Sequence, residues 1–432
     1  MNMNITKNSS AAVLKRDYKG YSRLFAAGLV NGIGDRFSSV AMLALILQVT
    51  GSGMAVGISL GMRVLPYLFM APLGGMLAGR MPRKTIMMAV DLLRVPIALS
   101  FLLVDGADRL WLLYAGSFIM AAGEAIYSPV RKSSIPLLAS PDSLHKINSL
   151  EQLMTGCVLI LGAFTGGLVS LWWGPEMAFV TNAASFLLAA LLVWGISFPP
   201  PAEIAGGIEQ IADAAPTGVF SAGNHLNRAG RWQTLRILIG GSQVLQIILA
   251  YELLVPVING WDNVLISVYA VQVFHAGDVG VGAFYAALGI GLSLSFFAGR
   301  LLKRRLLEIA LAGLLLEGIL LMCISGSSHF GVAFMLYILL SLCGGIGSAC
   351  LDTLVMRETP SAQQPVVFGL LSALGGSLIG LSMFSAGWLL EVVEPRTLGF
   401  AGGAGFAGTA LLLGGFGWLL RYRKTMSRKL HL

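Results

Sequence analysis

Along the chain, long apolar runs alternate with short polar breaks. A run of about twenty apolar residues predicts a helix that crosses a bilayer. Twelve such runs can be drawn: 22–49, 54–78, 85–104, 110–127, 147–171, 177–198, 236–274, 279–302, 306–324, 330–354, 366–390 and 398–420. The predicted fold class is therefore an all-α membrane protein with twelve transmembrane helices. Gly51-Ser52-Gly53 predicts a tight turn after the first run, and Asp105 to Asp108 an acidic turn after the third. The run 236–274 is too long for one straight crossing, and Pro256 and Gly260 predict a break near its far end.

The longest polar stretch, 199–235, opens with Pro199-Pro200-Pro201 and carries Arg228 and Arg231. It reads as a linker between two six-helix bundles, 21–198 and 236–420, with tails at 1–20 and 421–432. Within it, Ile204, Ile208 and Ile211 fall on one face of a short surface helix. The bundles echo each other. Ala78-Gly79-Arg80-Met81-Pro82-Arg83-Lys84 returns half a chain later as Ala298-Gly299-Arg300-Leu301-Leu302-Lys303-Arg304, and Gly123…Pro136 as Gly347…Pro360. Two echoes at similar offset indicate a duplicated unit, with two parallel halves and a binding site between them near mid-membrane.

Composition agrees with lipid as the solvent. The chain is 56% hydrophobic and 12% charged, whereas soluble domains carry about 25% charged residues. Its 54 glycines suit closely packed membrane helices. The net charge of +8 does not point to nucleic acid. Of the 29 Lys and Arg residues, Arg36, Arg63 and Arg94 lie deep within runs and Arg109 and Arg396 on the far side; Arg23, Arg236 and Arg300 fall at the near ends of theirs. The rest lie in segments this asymmetry places in the cytoplasm, with both tails. The stretch before the first run is polar and unlike a secretory signal. Cys157, Cys323, Cys343 and Cys350 sit in apolar runs and read as small core residues.

The turn Gly74-Gly75-Met76-Leu77-Ala78-Gly79-Arg80-Met81-Pro82-Arg83-Lys84 joins two helices through small residues and then cations. It resembles the loop 2–3 signature of the major facilitator superfamily, here Gly75, Gly79, Arg80, Arg83 and Lys84. The signature's acidic position is Gly79, so its usual charge network cannot form in the family's way. Gly34-Asp35-Arg36, Leu65-Pro66 and Ser128-Pro129-Val130-Arg131 are similar to the drug:proton antiporter branch that includes macrolide and enterobactin exporters. The resemblance implies alternating access and proton-coupled export of a bulky amphipathic compound. A lysophospholipid or an imported nutrient stays open as the cargo. A membrane-embedded enzyme or receptor is the distant alternative, and it leaves the internal repeat unexplained.

Ionisable groups inside spans cost about 2.5–3.5 kcal/mol on insertion scales and default to functional candidates. Asp35 and Arg36 lie roughly 20 Å from the cytoplasmic end of the first run, and Arg63 roughly 13 Å from the outer end of the second. Asp35 can pair with either cation. A carboxylate that exchanges a cation for a proton suits proton coupling; a static pair locking two helices is the other reading. Asp91 and Arg94 share a face at i, i+3, and Glu124 sits at similar depth. Together they read as a closure of the inner gate. Glu252 and Glu317 have no cation in the spans of their own half, so each is a proton or cation site; Glu317 reads equally as a neutral hydrogen-bonding acid. Asn31, Gln243 and Gln246 are candidates for the cavity wall. Asp352 and Arg357 read as a solvated pair.

Trp111, Trp172, Trp173, Trp261 and Trp388 near span ends read as interfacial anchors. His145, His225, His275, His329 and His431 are placed in loops or tails. No H-E-x-x-H, Walker lysine or paired-cysteine motif occurs. The expectation is thus a monomeric transporter of the inner membrane, with a small-molecule substrate and protons as partners. No cofactor, metal or catalytic residue is expected.

Overall fold

The computed structural model describes residues 3–50, 53–198, 231–299 and 304–430. No strand occurs among them. The helices are α1 (Met3–Thr50), α2 (Gly53–Leu77), α3 (Arg83–Ser100), α4 (Leu110–Ser134), α5 (Leu144–Trp194), α6 (Arg231–Gly241), α7 (Gln243–Val268), α8 (Gly277–Gly299), α9 (Leu306–Gly326), α10 (Phe330–Glu358), α11 (Gln364–Leu389) and α12 (Pro395–Leu430). α5 holds two expected crossings. Gly174, at φ 82° and ψ 166°, breaks it into two arms, and glycine reaches that backbone region without a Cβ clash. Nine described segments are long and apolar enough to cross a membrane. α1, α2 and the first arm of α5 lie, in order, where the other three crossings are expected.

Several boundaries differ from the sequence reading. α1 reaches back to Met3 and α12 on to Leu430, through the stretches expected as tails. The expected break at Pro256 and Gly260 is absent, and α7 runs straight through both. One proline removes a single amide bond, which packed neighbours tolerate. The chain breaks instead at Ser242, whose hydroxyl caps α7 by accepting from the Leu245 amide. A wider π turn, Tyr269–Val273, takes up residues at the other end. α4 continues to Ser134, so Arg131 and Lys132 lie on a helix rather than in a connection. His145 is likewise helical and buried, not in a loop. Cys323 is exposed rather than in the core. Most of the linker, with Ile204, Ile208 and Ile211, and residues 300–303 of the repeated turn lie outside the described residues.

Helix pairing repeats across the molecule. α2 packs on α4 and α8 on α10; α3 packs on α4 and α9 on α10; α1 packs on α5 and α7 on α11. The contacts between halves obey the same twofold relation, α2 with α11 and α5 with α8. Glycines make both crossings close. A Cβ at Gly75 would meet the Pro365 carbonyl at 2.4 Å, and one at Gly156 the Gly289 carbonyl at 2.4 Å. Lipid-facing surfaces carry exposed Leu92, Leu93, Leu191, Leu411 and Leu412.

The apolar core is distributed unequally. On the face bearing the 79–84 turn, here the basic face, one cluster joins both halves, from Tyr21 and Leu24 to Met356 and Phe368. On the far side two clusters stand apart. One, with Phe37, Ile46 and Phe101, belongs to the first half; the other, with Leu265, Tyr337 and Phe406, belongs to the second. The halves are sealed together at the basic face.

Candidate functional site

Between the halves lies a cavity of about 350 Å³. α1, α4 and α5 form most of its wall, and α10 adds Asp352 from the second half. That volume falls within the range of about 300–1,000 Å³ for small-molecule pockets. Four carboxylates line it, and each holds a cation.

Asp35 pairs with Arg63 at 3.3 Å, not with its neighbour Arg36. Arg63 also donates to Ser39 Oγ at 2.7 Å. The side chains of Arg63 and Asp35 are 29% and 33% exposed, so water and protons can reach the pair. Glu124 accepts from Arg94 at 3.0 Å. Arg94 also donates to the Met120 carbonyl at 2.8 Å and lies over the Phe186 ring. Asp91 accepts from Asn31 Nδ2 at 2.9 Å. It makes no bond to Arg94, and its second oxygen has no hydrogen-bond partner. Asp91, Arg94 and Glu124 all belong to the first half. Among the described residues they make no polar contact between the halves and brace α3 against α4.

Polar contacts between the halves gather at the basic face. Lys132 at the end of α4 holds both oxygens of Asp352, at 3.1 and 3.0 Å. This replaces the expected Asp352–Arg357 pair. Asn148 donates to Thr353 Oγ1 at 2.9 Å, and the His145 ring bonds the Gly299 carbonyl. Arg83 donates to the Ser133 carbonyl and, at 2.8 Å, to the Ser361 carbonyl of the second half. Backbone carbonyls thus receive the signature's cation in a chain that has Gly79 in place of the acid. Gly79 and Arg80 are exposed in the turn. Lys84 stays within its own half, on the carbonyls of Trp194 and Ile196.

The fourth pair was not foreseen. Arg131 and Glu151 bond through two contacts, at 2.5 and 3.1 Å, and Tyr21 donates to the same carboxylate at 2.9 Å. Gly28 leaves room for the guanidinium, since a Cβ there would lie 2.6 Å from it. Placing Arg131 in a connection hid one partner; the other, Glu151, is an acid inside the run 147–171 and was the signal that could have found the pair.

The remaining candidates scatter. Gln243 and Gln246 sit at the α6–α7 break, where Gln246 donates to the Gly240 carbonyl at 3.0 Å; neither reaches the cavity. Glu252 lies against Gly375 of α11, within electrostatic reach of Lys132 and Asp352. Glu317 is buried against Gly344, inside the second half and away from the cavity. Asp262, not singled out from the sequence, is buried beside Tyr337, whose hydroxyl donates to it at 3.5 Å.

Known proteins give the same picture. A stretch of Bacillus subtilis YfiS, an uncharacterised MFS-type transporter, is 25% identical over 42% of this chain and 43% of that protein. The multidrug resistance protein MdtH of Proteus mirabilis is 29% identical over 33% of this chain and 35% of its own. Macrolide efflux protein A of Streptococcus pyogenes is 23% identical over 41% of this chain and 44% of its own. Each match takes in less than half of the relative. The human organic anion transporter MFSD10 shares the fold at a TM-score of 0.72 and 15% identity, over 92% of this chain and 99% of that one. The proton:xylose symporter XylE does so at a TM-score of 0.68 and 15% identity, over 93% and 96%. The family profile of the Major Facilitator Superfamily matches residues 24–383. A twofold-repeated helical fold around a polar cavity, with that match over most of its length, makes this chain a member of the Major Facilitator Superfamily.

Proposed function

We propose that the protein exports a bulky amphipathic compound in exchange for protons, by alternating access. The cavity sealed at the basic face carries this reading. A water-accessible Asp35–Arg63 pair lies at its edge, and the gate closes beneath it. The basic face is the cytoplasmic one, by the excess of Lys and Arg it bears, so both described ends lie inside; the protein acts in the inner membrane as a monomer. In the sealed state the cavity faces outward. Protonation of Asp35 releases Arg63 within the first half and loosens α1 against α2 on the cavity wall. Breaking the Lys132–Asp352 and Arg83–Ser361 contacts opens the inner side. The efflux named for macrolide efflux protein A, and the multidrug resistance named for MdtH, support the outward direction.

The test uses the full chain in proteoliposomes with an imposed pH gradient. Asp35→Asn is expected to abolish gradient-driven accumulation of fluorescent drug substrates, while substrate exchange without a gradient survives. Full gradient-driven transport by this variant would remove Asp35 from the proton path.

A further inference from the structure

Cavity charge bears on the cargo. Each carboxylate on the wall has a cation of its own: Asp35 has Arg63, Glu124 has Arg94, Glu151 has Arg131 and Asp352 has Lys132. Arg36 also lines the cavity and is exposed within it. Among the described residues no carboxylate lies within ion-pair distance of it. Its stem packs on Gly162 of α5, where a Cβ would come within 2.7 Å of Arg36 Cβ, so the side chain is anchored at its root. From the second half, Tyr285 of α8 lies within electrostatic reach of Arg36. Asp91, the remaining acid of this region, is behind the wall on Asn31. The cavity therefore presents one uncompensated guanidinium at mid-span depth. A guanidinium favours carboxylate, phosphate and sulfate groups, which it meets with two parallel donors. Apolar Met154 and Val158 line the same wall on α5.

We propose that the transported compound is an anionic amphiphile whose acidic headgroup is met by Arg36, with its apolar body against Met154 and Val158. This rests on reading the cavity as the transport site. A cationic compound would meet Arg36 with like charge and would have to displace a cation from one of four formed pairs. An anion supplies the charge the wall lacks.

Binding of octyl phosphate, octyl glucoside and octyltrimethylammonium to the full chain in nanodiscs, with empty discs subtracted, tests this by calorimetry. Octyl phosphate is expected to bind about tenfold or more tighter than the other two. Arg36→Gln is expected to erase that preference and Arg36→Lys to keep most of it. The wild-type ranking decides the sign of the headgroup without any variant. Equal or tighter binding of octyltrimethylammonium overturns the proposal, as does an unchanged preference in Arg36→Gln or no saturable binding of octyl phosphate. Failure of gradient-driven transport with anion binding intact would instead overturn proton-coupled export and leave the anion site standing.

Discussion

At the scale of single residues, the first half is held by charges that cannot be removed one at a time. Arg131 and Glu151 are about nine-tenths buried, with side-chain exposures of 10% and 11%. Deleting one partner of such a pair strands the other and is destabilising by about 3–5 kcal/mol. Glu151→Gln is therefore expected to lower the thermal midpoint sharply, and Glu151→Gln with Arg131→Met to recover much of the loss. Thermal unfolding followed by tryptophan fluorescence measures both. Residues of this kind were only partly legible in the sequence. Asp35, Arg63, Asp91, Arg94 and Glu124 stood out because charge is costly in an apolar run. Lys132 and Asp352 sit close to the span ends, where a charge looks solvated, so the bridge they form between the halves was invisible. Only the tertiary approach of α4 and α10 shows that their nearest partner lies across the molecule.

At the scale of helices, contact between halves depends on missing side chains. Gly75 faces the Pro365 carbonyl and Gly369 faces the Ala71 carbonyl, so α2 and α11 touch backbone to backbone. An added methyl has no flexible neighbour to displace, and overpacking of this sort costs about 1–3 kcal/mol. Gly75→Ala is expected to push the halves apart at the basic face and to shift the population away from the sealed state by about fivefold or more. Spin labels on the basic ends of α3 and α10, read by electron–electron double resonance, would show the longer distance grow. Helix order was legible almost throughout, because about twenty apolar residues in a row have few other uses. Helix ends were not. Pro256 read as a break, yet α7 passes through it because its neighbours hold the local backbone. The true break at Ser242 depends on one hydroxyl cap, a weak signal inside an apolar run.

At the scale of the whole molecule, the polar groups that join the halves gather on one face, and on the proposed alternating-access reading they are its latches. His145 is one of them and lies just before the first arm of α5 crosses. Burial pushes its imidazole below the usual value of 6.5; the bond to the Gly299 carbonyl works the other way, and Arg357 adds to the lowering. The buried ring is therefore neutral when the latch is closed, and its Nδ1 has no partner to receive a proton's charge. A depressed imidazole contributes nothing above its free value and is unfavourable as pH falls below it. Acidifying the basic side below pH 6.5 is thus expected to weaken closure. His145→Gln is expected to flatten that pH dependence, as measured with the same spin-label pair between pH 8 and 5.5. The twofold repeat was legible from two motif echoes. The inequality of the two faces was not, because it is a property of one conformation and not of the sequence.

Arg83 joins three stretches of chain that are far apart in sequence, its own turn, the end of α4 around Ser133 and the loop at Ser361. That joint surface exists only while the latch is shut. A nanobody raised against it would recognise a composite epitope that vanishes on opening, and would report in living cells what fraction of molecules is waiting to turn.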